Sequence, residues 1–491
     1  MERYLNKNCV NKGMTHVIAS ATDKRAYIHL AGRHPFPLNP RFFGQTFVIG
    51  DLTSATRFVS PQENRKNFVV FQNMTPREEP LMSDKIKRMA MEQFNTSVIT
   101  TRKSDANSTL FALASGLITG GYHPVIVLHY PLTPNATAAH YVRKQLEVAG
   151  LDKMATVLLY IHVLSTDTYL VTSDIGRVLL REYCSALKYA ADGVIAVSDK
   201  AGRDFNEHFT RSLGGDGNGS TLPTDVILNG INANLYTLQD KEFIRQNRRN
   251  IGLNPDLDKT VAYVGRLDNI KGGDILLGIL DYLERSLDQR DANTGVVVAS
   301  PDVLVANKQL KKRLGELMKF ERLIREGRLR LVLDISKFVG GNATFAPDVE
   351  QAFLKYGGEE YRELQSHSIW GGLLPTPVQA ISDITICPVR SDGLSLTVIE
   401  SMLAGSYLIA SNVGGIPEVV TDPSLGVLLP PPDTNINTTI EQYIVAIRDF
   451  KGNGVQSNRF ALDSLLSGFS NTRMLLDFEA AVSRATERRQ S

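Results

Sequence analysis

Cysteine is scarce in this chain: Cys9, Cys184 and Cys387 are the only three among 491 residues. Thiols so few and so far apart build no disulfide framework, and none lies in a CxxC pair of the kind that holds a metal. Long apolar runs are missing too. The best of them, Leu110 to Ile118, falls short of the roughly 18 residues a bilayer span needs and runs into Gly120-Gly121. The opening MERYLNKNCVNKGMTH is polar and lacks the apolar stretch of a secretory signal, so the expected compartment is cytoplasmic. Triplets such as Asn135-Ala136-Thr137 then carry no weight as glycosylation sites. Nor is one sign of charge in excess. The 54 Lys and Arg nearly balance 52 Asp and Glu, which removes a broad basic face and indicates no nucleic-acid partner, while a local basic groove stays open.

Several motifs are absent as well. There is no GxxxxGK[ST] phosphate loop, no HExxH and no GxSxG elbow. The single Asp-x-Asp, Asp256-Leu257-Asp258, sits in a charged stretch before a strand and reads as solvated rather than metal-binding. What is present is an average globular composition, 43% hydrophobic and 22% charged, in a chain long enough for two cores.

From Ser97 onward, strand-like and helix-like segments alternate. Residues 97–101, 124–128, 155–162, 193–198 and 224–230 read as strands, with helices over 109–121, 136–149 and 174–191 between them. Continuous apolar strands alternating with helices predict a parallel sheet covered on both faces. A polar loop at 214–220 and the charged, Pro255-broken stretch 235–258 then suggest a domain linker. The rhythm restarts with strands at 260–266, 294–300, 329–335, 383–389 and 406–411 and helices at 273–289 and 303–326. The expected fold is α/β, with two doubly wound Rossmann-like domains. Residues 336–366 read as an insertion, and the first ninety have no firm reading beyond a possible strand at 67–72.

Three places carry candidate chemistry. In RSDGLSLTVIESMLAGSYLIASNVGGIPEVV (390–420), Asp392 lies in a loop after a strand, and a helix near Thr397 puts Glu400 in its first turn. Two carboxylates at the C-terminal edge of a parallel sheet suit a polyhydroxyl ligand, since charge-assisted hydrogen bonds to hydroxyls are directional. The same residues also fit an ordinary Asp-Gly turn and a Thr397-x-x-Glu400 capping box. In VGRLDNIKGGD (264–274), Arg266 and Lys271 precede a helix N-terminus, which suits a diphosphate; a solvated loop with two basic residues fits equally. His162 ends the strand VLLYIH, and a lone histidine there suits a structural or a catalytic role.

Taken in order, these segments resemble the retaining glycosyltransferases of family 4, whose fold is the GT-B architecture. ADGVIAVSDKAGRDF (191–205), ILNGIN (227–232), VGRLDNIKGG (264–273), 382–420 and GVLLPPPD (426–433) match that family's landmarks over about 155–435. The resemblance implies two Rossmann-like domains facing across a cleft. The first spans 1–235 and binds the acceptor, completed by a C-terminal helix at 460–491; the second, 236–459, binds the nucleotide-sugar donor. It implies that Arg266 and Lys271 hold the donor diphosphate and that Glu400 binds the ribose. Asp392 would meet the donor sugar, helped by the amides of Gly393, Leu394 and Ser395, and His162 would sit beside that sugar.

The implied reaction is sugar transfer with retained anomeric configuration, no cofactor and no metal. Acceptor identity stays open among glycan, lipid-linked sugar, protein or small molecule, as does peripheral membrane contact. Two departures stand out. Asp392 replaces the family's usual glutamate, and RKSDANS (102–108) replaces its Gly-Gly turn, leaving Asp105, Ala106 and Asn107 as acceptor-side candidates. Alternatives on the same fold are a nucleotide-sugar epimerase, a sugar phosphorylase (for which no pyridoxal-phosphate lysine motif is found) and a non-catalytic nucleotide-sugar-binding protein.

Overall fold

The computed structural model describes residues 24–31, 65–71, 96–100, 106–129, 135–162, 174–213, 221–231, 240–286, 291, 293–300, 316–317, 319–333, 378–452 and 459–491. Its chain divides into two compact units, one of residues 1–230 with 471–491 and one of residues 231–470.

The first unit is built on strands β1 (Arg25–Ala31), β2 (Arg65–Phe71), β3 (Thr96–Thr100), β4 (His123–His129), β5 (Thr156–Ile161), β6 (Gly193–Ala196) and β7 (Thr224–Val226). All pair in parallel, in the order β3-β2-β1-β4-β5-β6-β7. Helices α1 (Ala106–Thr119), α2 (Asn135–Val148), α3 (Asp174–Ala190) and α4 (Asp199–Ser212) connect them. Every residue of β5 and β6 is buried, as a sheet covered on both faces requires. Ser198 caps α4, its Oγ accepting the Ala201 amide at 3.1 Å.

The second unit holds β8 (Lys259–Val264), β9 (Thr294–Ser300), β10 (Leu329–Leu333), β11 (Ile384–Cys387), β12 (Tyr407–Ser411) and β13 (Gly426–Leu429), again all parallel, in the order β10-β9-β8-β11-β12-β13. Its helices are α5 (Lys241–Asn250), α6 (Gly273–Arg285), α7 (Glu321–Arg325), α8 (Leu396–Leu403), α9 (Ile416–Val419), α10 (Ile436–Asp449) and α11 (Arg459–Gly468). A core of Val261, Ile279, Val298, Ile386, Ile409 and Tyr443 lies under α6 and α10, and a smaller one of Leu253, Ala262, Val297 and Ile381 lies on the opposite face.

The last helix, α12 (Asn471–Gln490), returns to the first unit. Its buried Glu479 accepts from Tyr27 Oη at 2.8 and 2.9 Å and from Arg25 Nη1 at 3.2 Å, and Thr486 pairs with Thr156 at 2.9 Å. The fully buried Arg143 donates to the carbonyls of Asp152, Ala155 and Ala190 and to Asp192 Oδ2. Burial lowers its pKa from the usual arginine value, against the pull of Asp192.

The structure departs from sequence expectation in three places and adds a strand where there was none. The stretch taken as linker contains α5, which Asp240 caps and whose Arg248 is buried against Ile381 O (2.8 Å) and Asp383 Oδ2 (2.9 Å). Strand β1, in a region without a firm reading, lies third in its sheet between β2 and β4. The C-terminal segment is two helices, of which α11 belongs to the second unit and only α12 to the first. Helix α8 opens at Leu396 with Ser395 as its cap residue, so Glu400 sits in the second turn and Thr397-x-x-Glu400 forms no capping box. The loop 214–220, the insertion 336–366 and Asp105 lie outside the described residues; Ala106 and Asn107 open α1.

Candidate functional site

In the second sheet the strand order reverses between β8 and β11. Open α/β sheets bind ligands beyond the carboxyl ends of the strands at such a point, where two connections leave in opposite directions. Here the segment after β8 carries Arg266 and Lys271, and the segment after β11 carries Asp392 to Ser395.

Glycine brings the two loops together. Gly272 has φ +79°, and a Cβ there would stand 2.1 Å from the carbonyl oxygen of Pro388. Arg390 fastens the contact from the other side: its amide donates to Ile270 O at 2.8 Å and its guanidinium grips both oxygens of Asp274 at 2.8 Å. A third loop, after β12, closes on Asp392. Gly414 has φ +56° with its would-be Cβ 1.7 Å from Asp392 O, and the Gly415 amide donates to Gly393 O at 2.9 Å.

Lys271 Nζ meets Asp392 Oδ2 at 2.6 Å, with the carboxylate side chain 8% exposed and the lysine 25%. Burial works against the ammonium charge, but attraction and hydrogen bonding from Asp392 outweigh it, so Lys271 titrates above its ordinary value. Asp268 supports both cations: one oxygen accepts the Lys271 amide at 2.8 Å and the other lies 3.1 Å from Arg266 Nη2. Buried Tyr263 points its hydroxyl at the carbonyls of Arg266 and Lys271. The amides of Gly272 and Gly273 donate to Asn269 O and Asp268 O. Those of Lys271, Gly272 and Gly273 are therefore spent inside the turn, and its charge is carried by the side chains and the helix end.

Gly393, Leu394 and Ser395 are buried where β11 passes into α8. Ser395 Oγ stands 3.9 Å from Cys387 Sγ, whose thiol is pushed up to about 12 by burial and by Asp392 and is therefore no nucleophile at neutral pH. Glu400 Oε2 receives Gln379 Nε2 at 3.4 Å; Gln379 is 1% exposed. The structure thus joins Lys271 to Asp392 directly and places Arg266 beside the same turn through Asp268.

His162 belongs to the first unit and follows β5. Only 8% exposed, it sits with His129 Nδ1 2.7 Å from its Nε2 and stacks on Tyr160 with 4.6 Å between ring centroids. Burial drives its pKa down to about 3, so the ring is neutral at pH 7. Tyr160, wholly buried, has its pKa pushed up.

Sequence reasoning passed over Asp268, Asp274, Arg390, Gln379 and His129. Asp268 was findable as an Asp three residues before Lys271 in a turn, and His129 by the strand-end rule applied to His162. Gln379 and the Arg390–Asp274 grip gave no local signal. Among the described residues no group of three His, Cys, Asp or Glu side chains is placed to hold a metal ion. None of the helices there is long and apolar enough to cross a membrane.

Two doubly wound parallel sheets define the GT-B fold, and solved structures share it. The Anabaena protein HepE, crystallised with UDP, is 16% identical, with a TM-score of 0.57 and coverage of 94% of this chain and 99% of its own. The N-terminal domain of Candida albicans trehalose-6-phosphate phosphatase is 14% identical with a TM-score of 0.61, covering 94% and 97%. Residues 362–445 match the family model of glycosyl transferases group 1. Among curated relatives, a D-inositol 3-phosphate glycosyltransferase of Corynebacterium aurimucosum is 24% identical over 250 residues. The corresponding enzyme of Corynebacterium diphtheriae is 26% identical over 205. The matches take in 49% and 42% of this chain but only 45% and 38% of those proteins, so the chain spans less than half of the relatives' length.

Proposed function

We propose that the protein transfers a sugar from a nucleoside diphosphate donor to an acceptor, with retained anomeric configuration and without a metal. The observation that carries the reading is the pair of cations at the switch point: Lys271, held by Asp392, and Arg266, held by Asp268. Departure of a nucleoside diphosphate builds negative charge on the bridging oxygen. Two fixed cations and the N-terminal end of α6 are already oriented to stabilise it, so little reorganisation is needed as the bond breaks. Glu400 is assigned to the ribose, Asp392 to donor-sugar hydroxyls and His162 to catalysis on the first unit's side. The ion pair gives Asp392 a second task, that of holding Lys271 in place for phosphate. The complex of HepE with UDP supports a nucleoside diphosphate as ligand.

The test is calorimetry with UDP, GDP and ADP, followed by their free nucleosides, on the native protein and on Arg266→Ala and Lys271→Ala. Each lost charged hydrogen bond should cost about 1.5–3 kcal/mol of diphosphate affinity and leave nucleoside binding nearly unchanged. Diphosphate affinity that survives both substitutions would refute the assignment. The anomeric configuration of the product, read by NMR in the presence of EDTA, tests retention and metal independence together.

A further inference from the structure

The first unit presents two buried histidines at the carboxyl ends of neighbouring strands, His129 closing β4 and His162 following β5. His129 is fully buried, and parallel pairing of the two strands sets it level with Tyr160. Tyr160 in β5 and His162 just past its end lie two positions apart, hence on one face of the sheet. The three rings form a stack: His129 to Tyr160 5.3 Å, His129 to His162 5.0 Å, Tyr160 to His162 4.6 Å, with interplanar angles of 22°, 17° and 15°. At the end of β4, Asn135 Nδ2 donates to His129 O at 3.1 Å, fixing the backbone from which the ring projects.

We infer that His129 is a positioning residue for His162, holding its ring plane and selecting its tautomer through the 2.7 Å Nδ1···Nε2 hydrogen bond. The inference rests on the catalytic assignment of His162 above. Imidazoles facing each other nitrogen to nitrogen share one proton between the two facing atoms. Whichever ring carries it, the other presents a lone pair, so the state of His162 Nδ1 is tied to the state of His129. With the proton on His129, His162 is the Nδ1–H tautomer; with the proton on His162 Nε2, its Nδ1 is an acceptor. Burial keeps His162 uncharged, which removes the doubly protonated state that would break this coupling. An orienting partner that fixes a catalytic imidazole's tautomer acts on rate rather than on binding.

Two substitutions separate this role from packing. His129→Leu fills much of the volume without a polar atom, and His129→Asn places an amide nitrogen or oxygen as many bonds from Cβ as Nδ1. The full-length chain labelled with 15N-histidine, with His162→Asn to assign the signals, reads the tautomer directly. Native His162 should give one protonated and one bare ring nitrogen. His129→Leu should average them, and His129→Asn should restore the distinction. With UDP-glucose, GDP-mannose and ADP-glucose as probes, kcat for nucleoside diphosphate release should fall at least about tenfold in His129→Leu at near-constant KM, and recover to within about threefold in His129→Asn. Unchanged ring-nitrogen signals in His129→Leu would overturn the inference. So would an equal loss of kcat in both variants that tracks their melting temperatures. If the native protein turns over none of the three donors, the transferase reading is what fails, and the spectra still decide the role of His129.

Discussion

Replacing Gly414 by alanine tests how tightly Asp392 is held. At φ +56° the new side chain bears the ordinary left-handed penalty, and its Cβ starts 1.7 Å from the backbone oxygen of Asp392. No real Cβ approaches an atom closer than 3.0 Å, so the backbone at 392 or 414 must give way by more than an ångström. The left-handed conformation costs about 1–2 kcal/mol, and overpacking against atoms that cannot swing aside adds about 1–3 kcal/mol. Gly452 supplies the control: φ is +82° and nothing lies within 4 Å of the added carbon. For a unit the size of residues 231–470, 1 kcal/mol lowers the melting temperature by roughly 2–4 °C. Gly452→Ala should therefore lose a few degrees, and Gly414→Ala roughly 5–15 °C. Because the displaced atom belongs to Asp392, Gly414→Ala should also weaken nucleoside diphosphate binding in calorimetry, whereas Gly452→Ala should not. Equal melting temperatures for the two variants, or native affinity in Gly414→Ala, would refute the reasoning.

Three further outcomes follow from the geometry. Asp392→Asn removes the charge that outweighs burial at Lys271, so the lysine should titrate below its ordinary value instead of above it, as read from its 13Cε shift; in the native protein the stability drawn from the raised lysine value is present throughout neutral pH and is lost as pH rises through that value. For His162 the sign is reversed. With a folded value of about 3 against 6.5 unfolded, the unfolded state binds more protons between these limits, so stability is lost as pH falls from 6.5 towards 3. Between pH 7 and pH 5 the loss is about 2 kcal/mol, and His162→Asn should flatten that part of the profile in hydrogen exchange of β5 amides. Glu479→Leu strips Tyr27 and Arg25 of their shared buried carboxylate and should destabilise the first unit by about 3 kcal/mol in denaturant unfolding.

How far the chain could be read in advance depended on where each element finds its partners. β5, β9 and β12 announce themselves because strands buried on both faces must be apolar along their length, and that requirement is written locally. The loops that carry Arg266, Lys271 and Asp392 were legible for a related reason: each follows a readable strand. β1 was not, because its Arg25 and Tyr27 are satisfied by Glu479, more than 450 residues away in sequence. α5 looked like linker because its buried Arg248 is stabilised by Asp383 and Ile381 rather than by neighbours in its own helix. Composition and periodicity thus determined the class of the fold, its two sheets and where the loops after their strands fall. The tertiary structure decided what those side chains do to one another. It paired Lys271 with Asp392, set His129 against His162, and turned Thr397 and Glu400 from a supposed cap into positions in the first and second turns of a helix. A hydrogen bond between distant residues depends on strand order and register, and no local pattern carries that information.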